Sequence, residues 1–232
     1  MNFFENLLGA VQVGGTLLLS PLLRSWYNRW GAGNGEVAQP LPGDELAPNP
    51  RLGYTRAITI QAPPERVWPW LVQMGQGRGG LYSYDGLENL AGCKIHSVER
   101  ILPELQNLQI GELIRLGPQG YPCFAVAVVD PARALVLISA DPQTGTPGKH
   151  NPQPGKGYSL ATWQFTLKPM SENTTRLLVR QRLEHSPDLT WVWRLTEPVG
   201  FVMERKMLIG IRQRAEKNSL GNLDTRSSKP AQ

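Results

Sequence analysis

YTRAITIQAPPERVWPWLVQMGQGRGGLYSYDGLENLAG, residues 54–92, changes its period twice and so decides the fold. Tyr54 to Ile60 alternates, with Ile58 and Ile60 on one face and Thr55 and Thr59 on the other, which predicts a strand. Ala62-Pro-Pro-Glu65 then opens a helix, because proline is pre-shaped for a first turn and Glu65 suits the positive helix end. The helix runs through Val67, Trp68 and Leu71 toward Met74, and Pro69 within it predicts a kink or an early stop. A second short helix, Asp85 to Leu90, starts with the Asp-x-x-Glu spacing of a capping box.

Downstream the pattern is almost wholly β. Ile110–Leu116, Phe124–Val129 and Leu135–Ser139 are short apolar runs, the last two joined by the turn Asp130-Pro-Ala-Arg133. Ala161, Trp163, Phe165 and Leu167 alternate with Thr162, Gln164, Thr166 and Lys168. Arg176–Glu184 follows, with Leu177, Val179 and Leu183 on one face. Arg176, Arg180 and Arg182 face the other way, as a solvated sheet exterior would. A last helix is expected from about Glu197 to Lys217, on the stripe Val199, Val202, Met203, Met207 and Ile211. One strand, two short helices, five or six antiparallel strands and a long helix define an α+β fold. A sheet this long curls as it twists, so the terminal helix can lie in its concave face with a hollow between them.

The flanks differ from this domain, which covers residues 54–217. Leu7 to Leu23 is a run of 17 uncharged residues, followed by Arg24, Trp26, Tyr27, Arg29 and Trp30. Its length sits at the lower limit for a membrane span, and Gly14, Gly15 and Pro21 break it, yet aromatic rings beside arginines suit a bilayer interface. Residues 1–30 therefore read either as a membrane anchor, holding the domain on the cytoplasmic side, or as a helix docked on the domain. Residues 31–53 read as a Gly- and Pro-rich linker, and residues 218–232 as a disordered tail. The net charge of +5 favours an anionic membrane surface and is weak evidence for nucleic acid. Cys93 and Cys123 are too few for a disulfide framework.

The element order, together with APPERVWPWLVQMGQGRGGLYSYDGLENLAG and the Met-Glu-Arg-Lys-Met of residues 203–207, resembles the START-like helix-grip superfamily called SRPBCC. That superfamily includes polyketide cyclase/dehydrase and lipid-transfer members, and the middle loop is similar to that of a bacterial subgroup. The resemblance implies a cavity for an apolar small molecule under the C-terminal helix. It implies no reaction, since members range from carriers to cyclases.

Within that frame Trp68, Trp70, Tyr84, Phe124, Trp163, Phe165, Phe201, Met203 and Met207 are the expected ligand-binding residues. Aromatic and methionine side chains on inward faces are ordinary core in most folds, but here that face is also the cavity wall. Tyr84 or Arg100 would orient the guest. Tyr82, Tyr84, Asp85, Glu88, His96 and Arg100 contain the phenols, carboxylates, imidazole and guanidinium that a cyclase-like site needs. Asp85 and Glu88 have an alternative use as helix cap and first-turn charge. Met74 to Gly80 follows a helix and lacks the Lys-Ser/Thr ending of a phosphate loop, so it reads as a turn or a cavity-gating loop. Asp141–Tyr158 reads as disorder between strands or as a lid. His96, His150 and His185 lie far apart and no Cys-x-x-Cys occurs, so neither a metal nor another cofactor is implied. The expected function is binding or transport of a lipid, isoprenoid or polyketide-like molecule rather than catalysis. The alternatives are a cyclase/dehydratase working in the same cavity and an accessory module for a protein partner.

Overall fold

Sequence-adjacent strands pair wherever a tight turn joins them, and the first strand closes on the last. The computed structural model describes residues 3–148 and 157–227. In chain order its elements are α1 (Phe3–Leu18), α2 (Ser20–Tyr27), α3 (Asn34–Ala38), β1 (Leu52–Ile60), α4 (Pro64–Val72), α5 (Asp85–Leu90), β2 (Leu113–Arg115), β3 (Cys123–Asp130), β4 (Ala134–Ala140), β5 (Ser159–Ser171), β6 (Thr174–His185) and α6 (Thr190–Ser227). The six strands form one antiparallel sheet in the order β1-β6-β5-β4-β3-β2. Register shifts between Val126 and Val128 and between Pro169 and Ser171 interrupt the ladder, the kind of irregularity that bends a strand. The architecture is α+β and helix-grip: α6 lies across one sheet face, with α4 and α5 on the same side.

That inner face carries Ile58, Ile60, Trp163, Phe165, Leu167, Leu177, Val179 and Leu183, which pack with Met207, Leu208 and Ile211 of α6 into the main core. The β5 and β6 alternation read from the sequence sets this face directly, because Cβ direction reverses at each strand residue. Pro69 sits inside α4, which ends at Val72 after nine residues. α6 begins at Thr190, about two turns before the expected start, and carries Pro198 within it. Its backbone continues to Ser227 through much of the segment expected to be a disordered tail. Residues 228–232 lie outside the described residues.

Residues 31–53 are not a free linker. α3 and a 3-10 turn at Asp44–Leu46 lie over the outer sheet face, where Leu41 packs on Ala57 and Leu178. The three arginines expected to face solvent hold this segment down. Arg176 grips Glu36, whose carboxyl is driven below its ordinary pKa mainly by that hydrogen bond. Arg180 reaches Asp44 at 2.6 Å and the carbonyls of Glu36, Val37 and Gln39, and Arg182 takes those of Ala47 and Pro48. Two-fold alternation places these side chains on the outer face, and only the chain fold reveals what covers them.

The N-terminal residues are equally integrated. Asn28 and Trp30 carbonyls accept the Thr55 and Ala57 amides, so residues 28–30 close the free edge of β1. α1 and α2 meet at 107° and both contact α6. No single described helix is long and apolar enough to cross a membrane, although this bent pair meets the criterion by length and composition.

Candidate functional site

Between the concave sheet and α6 lies a cavity of about 290 Å³. Leu52, Leu116, Phe124, Trp163 and Leu183 form its sheet-side wall, Leu81 and Ser83 one end, and Trp193, Gly200, Met203 and Met207 its helix side. The size falls at the lower edge of small-molecule pockets, and the wall is mainly apolar with a few polar groups. Four expected binding residues, Phe124, Trp163, Met203 and Met207, line it.

The other five do not, for identifiable reasons. Trp70 is fully buried in the core with its ring edge-on to Tyr82. Phe165 is buried behind Trp163, with ring centroids 4.9 Å apart. Trp68 is half-buried and packs on the core beside Val72, Leu108 and Val129, in a separate surface depression. Tyr84 and Phe201 belong to a second cluster, in which Phe201 stacks on Tyr27 and Tyr84 donates to Gln12 of α1. Helix α1 meets Tyr84 and helix α2 meets Phe201, contacts no local pattern reveals.

A carboxylate cluster forms the cavity floor. Arg56 of β1 is completely buried and donates through Nη1 to Glu204 of α6 at 2.6 Å. Tyr54 Oη and Trp163 Nε1 donate to the other Glu204 oxygen at 2.6 and 2.8 Å. The Arg56 guanidinium also lies over the Tyr54 ring, 3.6 Å from its centroid, and its Nε donates to the Tyr27 carbonyl. Burial first, and then the Glu204 charge, pushes the Tyr54 phenol well above its ordinary pKa. Sequence reasoning missed Arg56 and Glu204, and the signal was available. Arg56 has the same parity as Ile58 and Ile60, so it had to point inward, and an inward charge demands a buried partner.

Glu197 also lines the cavity. Arg24 of α2 holds it with two hydrogen bonds at 2.8 and 3.0 Å, and Asn28 Nδ2 adds a third. Glu88 is the third lining carboxyl, 8% exposed, and its Oε2 has no hydrogen-bond partner. Burial, reinforced by the neighbouring Asp85, pushes it up to about 8.

Of the six expected catalytic groups only Glu88 reaches the cavity. Asp85 is not the cap its spacing suggests: Tyr84 occupies that position, and the Asp85 carboxylate takes the amide and hydroxyl of Ser97. Ser97 Oγ in turn accepts the Tyr82 amide, which fixes Tyr82 at φ +56°. Tyr82 is buried beneath α6, where its carbonyl lies against Gly210 with no room for a Cβ. His96 and Arg100 are exposed. The six therefore do not form one site.

The glycine loop after α4 closes on itself through a bridge between Gly75 and Gly80, and the Gly80 backbone, at φ +82°, abuts Ser97. It is a turn, since none of Met74 to Gly80 lines the cavity. In the segment expected to be disorder or a lid, Asp141 organises a tight turn through the amides of Gln143 and Thr144, while residues 149–156 lie outside the described residues. Among the described residues no group of three His, Cys, Asp or Glu side chains is placed to hold a metal.

No protein-family model and no curated protein sequence matches this chain. Solved structures align along about 70% of it. One is a protein from Mesorhizobium loti, at 16% identity, 70% coverage of this chain, 97% of that one and a TM-score of 0.39. A norcoclaurine synthase point mutant from Thalictrum flavum, bound to a transition-state analogue, aligns at 11% identity, 72% and 96% coverage and a TM-score of 0.40. The Aha1 dimer from Colwellia psychrerythraea aligns at 16% identity, 71% and 96% coverage and a TM-score of 0.38. Likenesses this distant carry no argument about the site, which is read from its own geometry.

Proposed function

We propose that the protein binds a small hydrophobic molecule in the cavity between the sheet and α6. The observation that carries this is the lining of the cavity: Phe124, Trp163, Met203 and Met207 give a half-open cleft of about 290 Å³ mainly apolar walls with a few polar groups, the make-up of small-molecule sites. Removal of apolar ligand surface from water supplies affinity at about 25 cal/mol per Å². Binding is favoured over cyclase or dehydratase chemistry because the expected acid–base groups do not converge. Native mass spectrometry of the full chain, purified from its own host, should reveal a co-purifying apolar adduct, and an adduct-free protein that also binds no added amphiphile would overturn the reading.

A second reading concerns the outer side of α1 and α2. Phe4, Leu7, Leu8, Val11, Leu18, Leu22 and Trp26 are exposed on α1 and α2, Trp191 and Leu195 are exposed at the start of α6, and Arg29 and Arg194 are exposed close to Trp26 and Trp191 in the chain. Apolar and aromatic side chains with interspersed arginines suit the interface of an anionic bilayer. In this reading the helices lie in that interface while their inner sides stay bound to the domain.

A further inference from the structure

Three carboxyl groups line the cavity, Glu88, Glu197 and Glu204, and among the described residues no Lys, Arg or His lines it. Two of the three are already compensated. Glu204 receives Arg56, Tyr54 and Trp163, and Glu197 receives Arg24 and Asn28. Both arginines approach from behind the wall, so neither offers its charge to a guest. Glu88 alone has no cationic partner and keeps a buried oxygen without a hydrogen bond. A ligand carboxylate entering this space would find no cation in the lining to pair with, a costly burial of an unpaired charge. An ammonium would meet the opposite: the Glu88 carboxyl, which has no cationic partner, and the aromatic rings of Trp163 and Phe124, which attract cations through their quadrupoles.

We infer that the cavity selects an amphiphile with a basic amine, whose protonated nitrogen pairs with Glu88 while its apolar body fills the space beside Trp163 and Met203. This rests on the cavity being a ligand site. Only a proton moves: a neutral amine takes the Glu88 proton, its N–H forming as the O–H breaks, whereas an amine that enters protonated sends the Glu88 proton to water, and either route leaves an ammonium–carboxylate pair. Charge-assisted hydrogen bonds of this kind are about twice as strong as neutral ones, which makes the amine the discriminating group.

Calorimetric titration of the full chain with decylamine, decanol and decanoate, each below its micelle-forming concentration, tests the inference. Decylamine should bind at least tenfold more tightly than decanol, and decanoate more weakly than either. In Glu88→Gln the amine should fall to the level of decanol measured on the same variant, with its far-UV circular dichroism and cooperative thermal unfolding showing that it is folded. Decanoate binding as well as decylamine, or an amine preference that survives Glu88→Gln, would overturn the inference while leaving the hydrophobic cavity standing. Binding of none of the three would overturn both.

Discussion

Gly200→Leu separates binding from folding. Gly200 lies in α6 on the cavity wall, and a Cβ added there meets nothing within 4 Å. The cavity of about 290 Å³ holds the equivalent of about ten waters at roughly 30 Å³ each, and four leucine carbons take roughly four of those places. A guest that must withdraw about four methylenes loses about 0.8 kcal/mol for each, about 3 kcal/mol together, which is roughly 150-fold in Kd. Stability moves the other way. Glycine inside a helix is less favourable than a straight-chain residue by about 0.8 kcal/mol, so the melting temperature should rise by about 2–3 °C in a protein of this size. The assay pairs native mass spectrometry for the host-derived adduct with thermal unfolding of the same samples. Loss of the adduct with unchanged or raised stability is the expected outcome. Retention of the adduct with a melting temperature at or above that of the unmutated chain would refute the cavity as the binding place.

Glu204→Leu strands the Arg56 charge in the core and should cost about 3–5 kcal/mol in denaturant unfolding, whereas the double variant Arg56→Met/Glu204→Leu should recover most of it. Equal losses in both would mean that packing, not charge, dominates at the cavity floor. Glu88, beside Asp85, Ser83 and Cys93, has a folded-state pKa of about 8 against an ordinary 4.5. The unfolded chain releases that proton first, so stability should fall as pH rises from about 4.5 to 8 and level off above, by at most about 5 kcal/mol. Glu88→Gln should flatten that slope, and an unchanged slope would assign it to other groups. Leu7→Glu with Leu22→Glu alters side chains that are 50% and 83% exposed, so folding should shift by under about 1 kcal/mol. Co-sedimentation with phosphatidylserine-containing vesicles should be lost, and undiminished sedimentation would dismiss the interfacial reading. Deleting residues 1–30 is a poorer test, because it removes the Tyr27 carbonyl from Arg56 and uncovers the β1 edge.

Much of the fold was legible because its signals are local. Proline at a first turn and alternation in β1, β5 and β6 act over a few residues, and the β3–β4 turn likewise announces itself. The site was only partly legible. Phe124, Trp163, Met203 and Met207 sit on inward faces whose periods are readable, and they reach the cavity. Trp70, Phe165 and Phe201 sit on equally readable faces but meet solid core or the aromatic rings of α2. Periodicity assigns a side chain to a face and says nothing about the distance to whatever stands opposite.

From its residues alone this chain reads as an antiparallel sheet with a long C-terminal helix, since the main strands and α6 carry their own periods, although the ends of α6 were not legible. Tertiary contact decided the rest: that Arg56 finds Glu204 across 148 residues, that residues 31–53 clamp the outer arginines, and that Glu88 faces the cavity without a cation. Charge pairing and empty volume are properties of distance between segments far apart in the chain, and no local pattern encodes that distance.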